Sequence, residues 1–244
     1  MKKKIITVFT ILVLISLLIT GGKIYTDLKS DAAADAVIDE AMNELKLYDN
    51  VLCDCGEAHN SGRFDFESGK KVNPDVIAWL TIPNTVIDYP VVQTANNDYY
   101  LERDIKKQRN KNGTLFLDYR VRGDFSDFNN VIYGHHMKSG RMFQNLVKFK
   151  EEAFFNNNKT GLLWTQKKTH HLEIFAVAIV HQDSELYRYA FASPAECDVH
   201  LQKIKNSAKF YRDIDVTEKD HLIIFSTCSY EFKDARTLVI ARIG

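Results

Sequence analysis

An excess of charge of either sign is what this chain lacks. Its 32 lysines and arginines are matched by 32 aspartates and glutamates, for a formal net charge of zero. Long-range attraction to polyanions is therefore missing, and nucleic acid is excluded as an expected partner. Cysteine is scarce as well: Cys53, Cys55, Cys197 and Cys228 are the only four. Cys53 and Cys55 would close a very tight, strained loop, and Cys197 and Cys228 fall in segments that read as a helix and a strand, so no disulfide framework is evident. No second cysteine pair at zinc spacing accompanies Cys53 and Cys55, which read as free thiols in a loop. Internal repeats, low-complexity tracts and acidic metal clusters are also missing from the sequence.

What is present is enough apolar content, 45% of residues, for an ordinary globular core. The N-terminus stands apart from it. Lys2, Lys3 and Lys4 precede an uncharged run from Ile5 to Thr20, closed by Gly21, Gly22 and Lys23. The run is just under the ~18–20 residues a spanning helix needs. Ala32 to Ala34 lie too far downstream for an ordinary cleavage site, so an uncleaved single-pass anchor is expected, with the lysines cytoplasmic and the rest extracytoplasmic. The predicted division is a cytoplasmic tail at 1–4, an anchor at 5–22, a helix and linker at 23–71 and a β-rich domain at 72–244. Within the third part, Ile38, Met42 and Leu45 at helical spacing predict an amphipathic helix over 27–50 packed on the domain behind it. A polar, glycine-bearing linker follows.

From Val72 the texture changes to short β-branched and aromatic runs separated by Pro, Asn, Asp and Gly. VIAWLTIP, VIDYPVVQ, GTLFLDYR, NNVIYGHH, LEIFAVAIV, HLIIFSTC and RTLVIARI each suit a strand. A mainly β fold follows, a closed barrel or a sandwich. Two interruptions read as helical, residues 141–155 and 193–211, the second with Pro194 in the first turn behind Ser193 as its cap.

Cys228 ends the run Leu222–Phe225. Taken alone it is a small core residue. Arg236 opens the next strand, and a hairpin would set the two roughly opposite one another, ~5 Å apart at Cβ. Beside a core thiol an arginine would be a buried, unpaired cation, costing several kcal/mol. At a solvent-facing barrel mouth it can stabilise a thiolate and hold a carbonyl oxygen as charge develops. A histidine would complete the set, and His135 and His136 follow an apolar run and Gly134. Alternation along an extended chain lets only one of them face the thiol. His59, His170, His171, His181, His200 and His221 lack that context.

These motifs resemble the sortases, most closely class B. The likeness runs from about Val72 to Ile243 through IDYPVVQ, NDYYLERD, VIYGHHM and STCSYEF followed by ARTLVIAR. The sortase signature Thr-Leu-Xaa-Thr-Cys stands here as Ile224-Phe225-Ser226-Thr227-Cys228, with phenylalanine at the leucine position. The resemblance implies a closed eight-stranded sortase-type β-barrel with an N-terminal helical appendage and a helix inserted before the cysteine strand. It also implies a membrane-anchored transpeptidase of a Gram-positive cell surface. Its partners would be secreted surface proteins with a C-terminal sorting motif, peptidoglycan or its lipid-linked precursor, and the plasma membrane. Carried over by motif, Cys228 is the nucleophile, His135 the general acid/base and Arg236 the residue that holds the substrate carbonyl. The substrate groove falls at Leu101, Leu186, Tyr187 and Ser226. No step of this chemistry demands a metal or cofactor. Rival readings are an L,D-transpeptidase, set aside because Ser226 and Thr227 stand where it needs histidine and glycine, and a papain-like protease, whose cysteine opens a helix. A non-catalytic surface-binding barrel and a pilus-polymerising sortase stay open.

Overall fold

The computed structural model describes residues 2–45 and 66–244. Cys53, Cys55 and most of the expected linker lie outside the described residues. The chain forms two compact units, residues 1–40 and 41–244.

Helix α1, Lys2–Leu45, runs without a break through both the expected anchor and most of the expected amphipathic helix. Among the described residues no helix is long and apolar enough to cross a membrane. The single-pass anchor over 5–22, and the extracytoplasmic placement that rested on it, are therefore corrected. The physical reason is length: the apolar run ends at Thr20, Gly21 and Gly22 close it, and Lys23, Asp27 and Lys29 follow within the same helix, short of the ~20 apolar residues a span requires.

In the second unit a short helix α2, Phe66–Val72, precedes nine strands: β1 Val76–Thr81, β2 Asp88–Val92, β3 Leu115–Leu117, β4 Asn129–Tyr133, β5 Thr160–Thr165, β6 Thr169–His181, β7 Ala208–Tyr211, β8 His221–Cys228 and β9 Ala235–Ile243. They form one mixed sheet in the order β5-β1-β2-β3-β4-β8-β9-β6-β7, and an additional β5–β6 pairing closes it. Eight strands thus make a barrel, and β7 hangs outside the closure on β6. The length of β6 makes this possible. Its 13 residues pair with β9 along one edge, and on the other edge with β5 at Thr169–Glu173 and with β7 at Ala176–Ala178.

The cysteine strand is apolar on both faces because both faces are covered. Leu222 to Phe225 are fully buried. Phe225 meets Phe143 edge-on at 5.9 Å, on one side of the sheet. On the other side Leu222 and Ile224 join Val131, Leu238 and Ile240, roofed by Leu201 and Ile204 of α4, Pro194–Ser207, and by Leu186. That roof ends at Leu186 and Tyr187, while β8 continues through Ser226 to Cys228.

The sequence-based expectation differs in several places. Residues 208–211 are strand β7, not the end of a helix: α4 stops at Ser207, and Phe210 and Tyr211 pair with Val177 and Ala176. Residues 141–155 hold a 3-10 helix, Gln144–Lys150, and the beginning of α3, Glu152–Asn157, in place of one continuous helix. Strand β5 was not anticipated; it is fixed by pairing on both sides, with Trp164 opposite Trp79 on β1 and Thr169 on β6. Ser193 does precede α4 with Pro194 in the first turn, but its side chain makes no capping hydrogen bond; its carbonyl accepts from the amides of Glu196 and Cys197.

Gly134, just past the end of β4, is packed tightly against the interior. A Cβ there would lie 2.4 Å from Leu115 Cδ2 and 2.7 Å from Phe143 Cδ2. Gly134→Ala is accordingly expected to destabilise the barrel by about 1–3 kcal/mol in denaturant unfolding, as overpacking of a dense core does. A change below ~0.5 kcal/mol would show that Leu115 and Phe143 move aside freely.

Candidate active site

Three neighbouring strands bring the chemistry together. In the β8–β9 ladder Cys228 stands directly opposite Arg236. On the other side of β8, β4 runs parallel, with Tyr133 opposite Ser226. The coupling continues past the end of β4: the Gly134 amide donates to the Ser226 carbonyl at 3.1 Å, and Thr227 Oγ1 donates to the Gly134 carbonyl at 2.8 Å. Extended two residues past the Tyr133–Ser226 pair, this register sets His135 level with Cys228. Adjacent strands are ~4.8 Å apart and paired side chains share a face. His135, Cys228 and Arg236 all line one cleft of about 720 Å³.

The two histidines separate as alternation requires. His135 Nε2 lies 2.7 Å from the Leu101 carbonyl, and a carbonyl can only accept, so Nε2 carries the hydrogen. In the neutral ring that leaves Nδ1 as the nitrogen able to take a proton. His136 turns away from the cleft. Its Nδ1 donates to the Cys228 carbonyl at 3.0 Å, and its ring meets Tyr230 edge-on at 5.3 Å. It braces the backbone of the cysteine without reaching the thiol.

Cys228 is a free, half-buried thiol at the cleft wall. Cys197, also free, is buried on α4, where burial pushes its thiol pKa up. The thiolate is the reactive form, so accessible Cys228 is the residue equipped for nucleophilic chemistry. Arg236 is fixed by two acceptors: Nη1 donates to the Ala235 carbonyl and Nη2 to Gln182 Oε1, each at 3.0 Å.

Of the expected groove residues, Leu101, Tyr187 and Ser226 line the cleft. Leu186 is not among them: at 2% exposure it belongs to the apolar roof beneath. The Tyr187 hydroxyl shares a 2.8 Å hydrogen bond with Ser226 Oγ. Burial pushes the Tyr187 phenol up to about 12, opposed by that hydrogen bond and by the Arg236 charge, so the phenol stays protonated at neutral pH.

Continuous with this wall is a network that sequence reasoning missed, in which Tyr133 and Arg120 also line the cleft. Tyr133 stacks on Tyr187 with ring centroids 6.0 Å apart and donates to Asp118 Oδ2 at 3.1 Å. Burial raises the Asp118 pKa, but the hydrogen bonds from Arg120, at 2.8 and 2.6 Å, outweigh it and hold the carboxyl below its ordinary value. Arg120 in turn lies over the Tyr189 ring at 4.3 Å. Tyr133 could have been found, since it precedes His135 by two residues on the same face of one strand. Asp118, Arg120 and Gln182 come from loops, where no periodicity marks which way a side chain turns.

Residues 80–243 match the family model of the sortase domain. The chain belongs to the sortase family. It is 33% identical to Sortase B of Listeria monocytogenes over 224 residues, which cover 91% of this chain and 89% of that protein. The X-ray structure of Clostridium perfringens sortase B is similar with a TM-score of 0.71 at 32% identity, over 74% of this chain and 100% of that one. A sortase B–substrate complex from Staphylococcus aureus is similar with a TM-score of 0.69 at 27% identity, over 73% of this chain and 84% of that one. Within the family the chain falls in class B, as its resemblance implied, and it is a cysteine transpeptidase.

Proposed function

We propose that this transpeptidase cleaves a sorting motif near the C-terminus of secreted proteins and joins the new carboxyl end to an amine of peptidoglycan or its precursor. In this reading residues 72–244 are the catalytic unit, Cys228 is the nucleophile, His135 the general acid/base, Arg236 the oxyanion partner, and Leu101, Tyr187 and Ser226 contact the motif. The observation that carries it is the convergence of Cys228 from β8, Arg236 from β9 and His135 from the segment that follows β4 on one cleft. The substrate complex of the Staphylococcus aureus relative supports a peptide occupant.

The chemistry balances with the chain's own groups. The Cys228 thiolate adds to the scissile carbonyl, forming a C–S bond, and Arg236 takes the developing oxyanion. Collapse breaks the C–N bond, and imidazolium His135 gives its proton to the departing amine. A thioacyl-enzyme remains. Neutral His135 then removes a proton from the incoming amine as its nitrogen attacks, the C–S bond breaks, and thiolate and imidazolium are restored.

The test is to incubate the full chain with a library of five-residue motif peptides, with and without an amine acceptor of the peptidoglycan type. The expected result is an acyl mass increment on Cys228 and, with acceptor, a new amide in place of free acid. An increment on another residue would end the assignment of the nucleophile, and hydrolysis unaffected by the amine would end that of the acceptor.

A further inference from the structure

We infer that Gln182 is a positioning residue that sets the guanidinium of Arg236 at the angle the reacting carbonyl requires. The inference rests on the role proposed above for Arg236. Gln182 directly follows β6, whose last pairs with β9 are Val180 opposite Arg236 and His181 opposite Ala235. Its backbone then continues the ladder, the Gln182 amide donating to the Asp234 carbonyl at 3.0 Å. That bond ties the residue to the start of β9, and its side chain turns into the cleft beside Arg236.

A guanidinium only donates, so the glutamine must offer Oε1, as it does at 3.0 Å. Together with the Ala235 carbonyl at 3.0 Å on Nη1, this holds the two terminal nitrogens from two separate segments, β9 and the loop after β6. Either bond alone would leave the planar group free to swing about the other. Two of five N–H groups are thereby committed, and the plane of the remaining donors is set. In the open cleft the Gln182 bond competes with water and adds little to folding stability. Once a peptide fills the cleft and excludes water, the bond strengthens, and a misplacement of ~1 Å at a group stabilising charge can cost up to ~100-fold in rate.

The test uses full-length variants and a cleavable sorting-motif peptide. Gln182→Leu, which keeps the bulk and removes the acceptor, is expected to lower kcat about tenfold with KM within about twofold and the melting temperature unchanged. Gln182→Glu keeps an acceptor oxygen and is expected to be at least about threefold faster than Gln182→Leu. Arg236→Lys is expected to be severely impaired, because a point charge does not reproduce the planar fork. In that background Gln182→Leu should change kcat by less than about twofold, the non-additivity of two residues acting through one contact. A full tenfold loss there, or unchanged kcat in Gln182→Leu alone, would overturn the inference while leaving the role of Arg236 intact. Near-normal turnover of Arg236→Lys would overturn that role itself, and the inference with it.

Discussion

Cys228→Ala is expected to abolish cleavage of a sorting-motif peptide, by at least ~10³-fold, with the fold unchanged. The loss is large because no neighbouring group can replace the thiolate. The other described cysteine, Cys197, is buried on α4, and Ser226 Oγ is tied to the Tyr187 hydroxyl. The fold survives because Cys228 is the last residue of β8, past the point where Leu186 and α4 roof the sheet. Removing one sulfur at a half-buried strand end leaves the ladder to Arg236 in place and costs less than about 1 kcal/mol. Peptide turnover and thermal unfolding, measured on the same preparation, check both halves. Full activity in this variant would end the assignment of Cys228, and unfolding would show that the sulfur is core after all.

His135→Ala is expected to be nearly as damaging, by about 10²–10⁴-fold, the contribution of a positioned proton-transfer group. His136→Ala should change turnover only a few-fold. The difference follows from where the two rings are held. His135 turns into the cleft, with Nε2–H given to the Leu101 carbonyl and Nδ1 left to accept a proton. His136 spends its Nδ1–H on the Cys228 carbonyl, a bond worth ~1 kcal/mol that steadies the backbone of Cys228 without touching its thiol. Rates of acyl-enzyme formation for the two single variants decide the matter. A larger loss in His136→Ala would reverse the assignment.

Why one histidine was readable and its partner strand was not can be seen from the chain itself. Alternation along VIYGHH says that only one of the pair can face a given side, and this is a local property of extended backbone. Which side holds the thiol depends on β4 lying parallel to β8, a pairing between segments about 90 residues apart, as the His136–Cys228 separation of 92 shows. A parallel neighbour needs a long crossover and leaves no turn signal between the two strands. Cys228 and Arg236, by contrast, are joined by a short loop, and their register could be expected directly.

Cover is a second quantity that local pattern does not reveal. Leu186 and Tyr187 are adjacent and both apolar in character, yet one is buried in the roof and the other meets Ser226 at the cleft. Strand β7 was hidden for a related reason: AKFY has no strand signature separable from the helix before it, and it is strand because β6 offers it an edge.

By itself the sequence determined a mainly β fold, the full extent of β8, the position of α4 ahead of it, and a thiol, an imidazole and a guanidinium at strand ends. These depend on side-chain period, apolar runs and turn residues, all short-range. Tertiary structure alone decided that Leu186 lies in the apolar cluster beneath the cleft, and that Arg120, Tyr133 and Gln182 line the cleft with Asp118 buried against Tyr133 and Arg120. Each of those depends on which distant backbone lies alongside and what it shields from water, and neither is encoded in any single stretch of the chain.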